Sequence, residues 1–232
     1  MSNSLRDKKE YLVGIDEAGR GPLAGPVAIG TSCISKENSK KIFSILKKYG
    51  LNDSKQVKES DREKLYEIMC VLKKDGLLDF AVSLISADII SKKGISYAIQ
   101  LGIDRNLKTI LVRHPHVDED PGVKSLDSRL RRDDVAYAQQ QLITLELDGA
   151  LKIPQGDWKK ASVIIKGDSI KPSIMIASIV AKVTRDRHMK KLSKKYPEYG
   201  FEVHKGYGTK RHRECIKKYG LSKEHRVGWC KI

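Results

Sequence analysis

Two hydrophobic periods alternate along the chain. An apolar run at residues 11–15 leads directly into Asp16 and Glu17, and a second apolar stretch at 27–29 follows Gly19-Arg20-Gly21-Pro22 and Gly25-Pro26. Together residues 11–34 predict a pair of strands. At 35–49, Ile42, Phe43, Ile45 and Leu46 fall at helical spacing and Gly50 supplies a stop. A second helix is predicted over 59–74, with Ser60 and Glu63 spaced as a capping box. Residues 78–84 predict a strand, and 86–92 and 95–107 predict helices. The segment 113–134 breaks the pattern: it is polar, dense in both charges, and carries His114 and His116 beside a group of acids. We expect an exposed insertion there, with a short helix near 128–132. Helical spacing resumes at 135–141. A strand at 142–147 runs into Asp148-Gly149, and a short β-rich run at 162–165 ends in Lys166-Gly167-Asp168. The stretch 173–188 predicts a long helix whose Ala177, Ser178 and Ala181 allow close packing on a sheet, with helical structure continuing over 189–195. Residues 196–209 are loop-rich and aromatic, and a last helix spans 209–219 before Gly220. Strands interleaved with helices imply an α/β sheet with helices against it.

Composition narrows the class. At 232 residues the chain suits one large domain with a small appendage, divided here as 1–188 and a basic helical extension, 189–232. Hydrophobic content is 40%, and no run approaches the roughly 18 apolar residues of a membrane helix. The first residues are polar and lack the apolar centre of a signal peptide, so a cytoplasmic protein without a membrane partner is expected. Cys33, Cys70, Cys215 and Cys230 lack CxxC spacing, which points to reduced thiols rather than a disulfide framework or a zinc site. The formal net charge is +16. Residues 182–232 hold sixteen Lys/Arg against five Asp/Glu, or +11 of that total. Such a balance favours a polyanionic partner. Passive nucleic-acid binders are equally basic, so charge alone does not separate them from an enzyme.

The candidate chemistry lies where apolar strands end in acids: Asp16-Glu17, Asp148 and Asp168. Neighbouring strand ends in an α/β sheet bring such residues together. A buried carboxylate is costly unless a cation or hydrogen-bond donors compensate it, and either Arg20 or a metal ion fills that role. On residue types alone the alternative is a hairpin with its acids in solvent. Clustered carboxylates repel one another unless divalent cations neutralise them, and oxygen ligands favour Mg²⁺ or Mn²⁺ over zinc. Two such ions about 3.5–4 Å apart suit a phosphodiester displacement. Gly19 and Gly21 leave the backbone N–H groups between them open to a phosphate or sugar.

Several segments then carry a family resemblance. GIDEAGRGPLAGPV, NDSK at 52–55, LDG at 147–149, KGDS at 166–169, ASIVAKVTRDR at 177–187 and the YGF…HKGYGT stretch at 199–209 resemble ribonuclease HII in order and spacing. The likeness covers most of residues 11–226. It implies a ribonuclease H-like fold: a central mixed sheet flanked by helices, with a helical basic C-terminal extension that contributes to substrate binding. It also implies a monomeric endonuclease that cuts the RNA strand of RNA–DNA hybrids and incises duplex DNA containing single ribonucleotides, as in ribonucleotide excision repair. By the same resemblance Asp16, Glu17, Asp148 and Asp168 are the metal-binding acids for two Mg²⁺ or Mn²⁺ ions. Gly19, Arg20 and Gly21 contact the ribose 2′-OH and adjacent backbone, and Tyr207 stacks on the following deoxyribose. Lys55, Lys166, Ser173 and Lys182 occupy motif positions for phosphate contact or sheet-end structure, with Lys55 and Ser173 taken as substrate-binding. Asp186 is expected in a structural ion pair, and His188 and His204 in structural or phosphate-adjacent roles.

The chain departs from the family at Ala150, where Asn or a related polar residue is common, in the length of 113–134, and in the ending His225-Arg226-Val227-Gly228-Trp229. The competing readings are a ribonuclease HIII-like enzyme, which would be expected to differ at Arg20 and to carry an added N-terminal domain, and a passive binder of the same fold, which would be expected to lose an acid.

Overall fold

The computed structural model describes residues 10–51, 57–114, 143–156, 158 and 160–230. Five strands form one mixed sheet: β1 (Tyr11–Ala18), β2 (Val27–Ser35), β3 (Leu78–Ile85), β4 (Ile143–Asp148) and β5 (Lys160–Ile164), in the order β3-β2-β1-β4-β5. The hairpin partners β1–β2 and β2–β3 are antiparallel, whereas β1–β4 and β4–β5 are parallel. The helices are α1 (Ser39–Lys48), α2 (Glu59–Lys74), α3 (Ala87–Lys93), α4 (Ile95–Arg113), α5 (Gly167–Ile170), α6 (Pro172–Lys195), α7 (Phe201–His204) and α8 (Lys210–Tyr219).

Side chains alternate across a strand, and that alternation sorts the core. Odd positions of β1 and β4, Val13, Ile15, Leu145 and Leu147, pack with Ile99, Ile103 and Leu107 of α4. The opposite face meets α6, with Ile176, Ile179 and Val180 joined to Ile42, Leu46, Leu65 and Met69 of α1 and α2. Gly14 makes the close approach possible, since a Cβ there would overlap the Ser173 backbone. The Ser32 hydroxyl then donates to the Ser173 carbonyl at 2.7 Å. The small residues of α6 therefore serve the packing role expected of them. Residues Ser173–Ala181 are buried without interruption, because this helix is enclosed by the sheet on one side and by other helices on the other.

Several boundaries differ from the sequence-based expectation. Helix α4 continues to Arg113, six residues past Leu107, because Ile110 extends its buried stripe. Strand β5 begins at Lys160 rather than 162. Ser60 does not cap α2: Lys58 takes the N-cap position in extended conformation, and Ser60 lies in the first turn. The aromatic stretch 196–209 contains one turn of 3₁₀-helix (Pro197–Tyr199) and one of α-helix, α7. The division drawn at 188/189 falls inside the continuous helix α6. Residues 52–55 with Lys55, most of the 113–134 insertion and the helix expected at 135–141 lie outside the described residues. No helix among the described residues is long and apolar enough to cross a membrane. All four cysteines are free.

Candidate active site

Strand parity decides where the acids point. Asp16 follows Leu12 and Gly14 on the even face of β1, and Asp148 follows Thr144 and Glu146 on the matching face of β4. The two strands are in parallel register through Ile15 and Leu147, so both aspartates emerge side by side at their C-terminal ends. Asp168 arrives from the adjacent turn: it lies in the first turn of α5, 2% exposed, and its N–H donates to Asp148 Oδ1 at 3.3 Å. Glu17 closes the group at the end of β1. The charges of Glu17 and Asp148 raise the proton affinity of Asp16, and that of Asp148 raises Glu17. Burial pushes Asp16 up to about 7, with a hydrogen bond from Ser178 opposing and the charges of Glu17 and Asp148 adding to the rise. Burial also raises Glu17, against the pull of Arg20.

These groups fit a hard cation in their chemistry: every side-chain donor is a carboxylate oxygen, and the buried Glu17 Oε2 has no hydrogen-bond partner among the described residues. They are not closed into a cage as they stand. Among the described residues no three His, Cys, Asp or Glu side chains are placed to hold an ion together. The geometry shows what draws them elsewhere. Glu17 Oε1 accepts from Arg20 Nη1 at 3.2 Å, and Asp148 accepts from the Asp168 amide. Arg20 thus compensates one of the buried acids directly, and the carboxylate oxygens suit a hard cation as well.

Beside the acids lies a groove of about 480 Å³ lined by Glu17, Gly19, Arg20, Gly21, Lys182 and Tyr207, among others. Arg20 also donates to the Ala150 carbonyl at 3.3 Å, a contact that the side chain at 150 does not enter. Gly19 has φ +85°, and a Cβ on it would overlap the Arg185 guanidinium. At Gly21 a Cβ would meet nothing within 4 Å, so the space over that residue is open to a ligand. Tyr207, 49% exposed, lines the same groove, its ring 5.9 Å from the Arg185 guanidinium carbon.

The structure does not bring Ser173 to this groove. It is 1% exposed, its hydroxyl donates to Glu146, and Lys171 Nζ completes the Glu146 carboxylate at 3.1 Å. That is the sheet-end half of the expectation. Lys166 takes a left-handed conformation (φ 55°) at the start of the turn carrying Asp168. Asp186 pairs with Arg62 at 3.2 Å, as expected, on the groove wall. His204 is buried, hydrogen-bonded to the backbone of Tyr199 and Gly206 and stacked on His212.

Two residues escaped the sequence reading: Arg185 and Arg226, 2% and 0% exposed. Among the described residues neither pairs with a carboxylate; both donate to backbone carbonyls. Arg185 Nε donates to Pro26 O at 2.9 Å, and its Nη2 donates to Ala24 O at 3.4 Å and to Lys205 O at 2.9 Å. Arg226 donates to Gly19 O, Arg20 O and Gly25 O at 2.7, 2.9 and 3.0 Å. Burial lowers the proton affinity of both, Arg226 to about 9. Arg185 had a signal, since it extends the i,i+4 row Ala177, Ala181 that packs on the sheet. Arg226 had none, since it lies in an ending that departs from the family pattern.

Sheet order, acid-tipped parallel strands and the helix laid across them define an α/β protein of the ribonuclease H-like class. The crystal structure of ribonuclease H2 from Pyrococcus horikoshii matches it with a TM-score of 0.57 and 26% identity over 94% of this chain and 93% of that one. The ribonuclease HII of the Archaeoglobus fulgidus PCNA complex shares the fold at TM-score 0.61 and 21% identity, over 94% and 95% of the two chains. Bst-RNase HIII, solved in complex with Mn²⁺, shares it at 0.58 and 16%, over 96% and 68%. Within that class the Ribonuclease HII family model matches residues 13–232. A ribonuclease HII of Bacillus cytotoxicus is 40% identical over 99% of this chain and 73% of its own length, and one of Fusobacterium nucleatum is 41% identical over 90% and 80%. The chain belongs to the ribonuclease HII family and is a ribonuclease H enzyme acting on nucleic acid.

Proposed function

We propose that this enzyme hydrolyses the RNA strand of RNA–DNA hybrids and incises duplex DNA on the 5′ side of embedded ribonucleotides, leaving 3′-hydroxyl and 5′-phosphate ends. The supporting observation is the placement of Asp16 beside Asp148 at paired strand ends, next to an open groove walled by Arg20 and Tyr207. Asp16, Glu17, Asp148 and Asp168 would hold Mg²⁺ or Mn²⁺, two ions per site. When bound, such ions supply an activated water and stabilise charge on the leaving oxygen.

The chain's own groups account for selection. The 2′-OH distinguishes RNA from DNA at a single nucleotide, and the turn at Gly19–Gly21 offers backbone donors with open space over Gly21. Arg20, which bridges Glu17 and the Ala150 carbonyl, fixes this turn against the acids. Tyr207, half-exposed in the same groove, presents a ring for the next sugar. Lys182 and Lys205 on the groove wall suit the phosphate backbone. Residues after 188 thus contribute to substrate binding through Tyr207 and the arms that hold it.

The test is incision of a duplex bearing one ribonucleotide, with and without divalent metal. Asp16→Asn is expected to lower metal-dependent incision by roughly 100-fold or more, the scale of lost charge stabilisation at a phosphoryl site. Incision by this variant at the wild-type rate would disprove the assignment.

A further inference from the structure

We propose that Arg226 is a positioning residue that sets the ribonucleotide-reading turn from beneath, and that the C-terminal segment exists in part to deliver it. This inference rests on the reading above that the Gly19–Gly21 turn touches substrate.

The segment is stitched to the turn along its length. Gly25 N–H donates to Glu224 O at 2.7 Å, Arg226 N–H donates to Leu23 O at 2.8 Å, and Ala24 pairs with His225 in an antiparallel bridge. These contacts bring the Arg226 guanidinium under the loop, where three donors meet three carbonyls of one turn: Gly19, Arg20 and Gly25. Trp229 covers it, with the ring 5.2 Å from the guanidinium carbon. A charge at 0% exposure with no carboxylate partner among the described residues is costly, and the three carbonyls and the Trp229 ring offset it.

The consequence follows from peptide planarity. In a trans peptide the C=O of one residue and the N–H of the next point in opposite directions. Gly19 C=O and Arg20 C=O turned inward to Arg226 therefore turn the Arg20 and Gly21 N–H groups outward. Neither N–H is engaged by another described residue, and Gly21 is the position with open space above it. Arg185 performs the same service one step further along, tying Ala24 O and Pro26 O to Lys205 O in the Tyr207 loop. Gly206 O accepts from Leu23 and Ala24 N–H at 2.9 and 3.3 Å, so the two walls of the groove are one unit. The fixed cation beneath outward N–H groups is an arrangement for an electronegative ligand atom.

The experiment uses the full chain with Mn²⁺ and two variants, Arg226→Lys, which keeps the charge but offers a compact ammonium in place of the guanidinium fork, and Trp229→Ala. Incision of a duplex with one ribonucleotide, affinity for the all-deoxy duplex, and amide hydrogen exchange of the peptide spanning residues 19–26 are measured. A misplaced turn is expected to lower kcat for Arg226→Lys by about 100-fold with KM and all-deoxy affinity within about threefold, and to speed exchange at 19–26. Trp229→Ala, which leaves the three bonds but removes their cover, is expected to speed exchange in the same peptide and to lower kcat less. Unchanged exchange in a folded Arg226→Lys, or in Trp229→Ala should the first variant fail to fold, overturns the proposal, as does wild-type kcat. If the wild-type enzyme leaves the ribonucleotide uncut, the functional reading falls while exchange still decides whether Arg226 holds the turn.

Discussion

His212 and His225 face each other Nε2 to Nε2 at 3.1 Å, and only one arrangement of protons satisfies them. His212 Nδ1 lies 2.9 Å from the Tyr207 carbonyl, so it carries the proton and its Nε2 accepts. His225 Nε2 must then donate, leaving its Nδ1 to accept from Ser222 N–H at 2.9 Å and from the Ser222 hydroxyl at 2.8 Å. His204, stacked on His212 at 4.3 Å between ring centroids, accepts from Gly206 N–H at Nδ1 and donates from Nε2 to Tyr199 O. All three imidazoles are neutral, and together they hold the backbone of the Tyr207 loop.

That network predicts acid sensitivity. Burial lowers the proton affinity of all three, His212 to about 4 from an ordinary 6.5. A depressed folded value means the stabilisation is complete above pH 6.5 and is lost as pH falls towards 4. A second proton on His212 would set two N–H groups against each other. His212→Gln is expected to melt lower than wild type at pH 7.5, with the gap narrowing as pH is taken to 4.5. A gap that stays constant over this range would show that these imidazoles titrate normally.

Asp16 predicts the opposite slope. Its folded value, raised from 3.8 to about 7, means the metal-free protein is favoured while this carboxyl is protonated and loses stability as pH rises through 7. A rise from 3.8 to about 7 corresponds to on the order of 4 kcal/mol. In chelator, Asp16→Asn is therefore expected to be more stable than wild type at pH 8 and nearly equal to it below pH 4, even as incision is lost. Mn²⁺ is expected to raise the melting temperature of wild type and to raise that of the variant less. A variant no more stable than wild type in chelator at pH 8 would place Asp16 in a less hostile environment than its 4% exposure implies.

How much of this could be read in advance depended on sequence distance. Strands β1 and β4 were visible because apolar runs end abruptly in acids, and their parity alone fixes Asp16 and Asp148 on one face. Helix α6 was visible from its small residues, although its enclosed first half has no polar side to give it a period. The end of α4 was misjudged since Lys108 and Thr109 interrupt the apolar spelling while Ile110 keeps the buried stripe. Ser60 has the type of a cap, but the N-cap falls two residues earlier, where extended Lys58 already turns into α2. Ser173 could serve a phosphate or a neighbour equally well by type, and only the tertiary approach of Glu146 decides. Arg226 was least legible of all, as its partners lie 201 to 207 residues away and leave no local pattern.

The contact beneath β1 gives a stability prediction. Gly14 lies against the carbonyl of Ser173, and Ala in its place would drive a methyl group into backbone that the Ser32 hydrogen bond holds. Backbone cannot swing aside as a side chain can, so Gly14→Ala is expected to cost about 3 kcal/mol, the upper part of the range for overpacked cores. Urea denaturation checks it. A loss below about 0.5 kcal/mol, ordinary for a surface change, would mean that α6 stands further from the sheet. The same shift would also move Ser178 away from Asp16.

Discrimination between sugars is the sharpest test of the groove. Arg20 and Tyr207 line one groove, the first tied to Glu17 and the second 49% exposed with its loop held by buried histidines. Neither is a general phosphate ligand by this geometry, whereas Lys182 and Lys205 line the same groove, with the Lys205 ammonium held there by the Glu202 carbonyl at 2.6 Å and by Glu59 at 3.5 Å. Arg20→Ala and Tyr207→Ala are therefore expected to reduce incision at a ribonucleotide by about tenfold or more, equivalent to 1.4 kcal/mol or greater, while affinity for all-deoxy duplex changes little. Lys205→Ala should do the reverse: it weakens binding to both duplexes and lessens the salt dependence by roughly one phosphate contact. Equal losses on both substrates for Arg20→Ala and Tyr207→Ala would reduce these residues to electrostatic and packing roles, and the selectivity would then have to reside in the backbone of the Gly19–Gly21 turn alone.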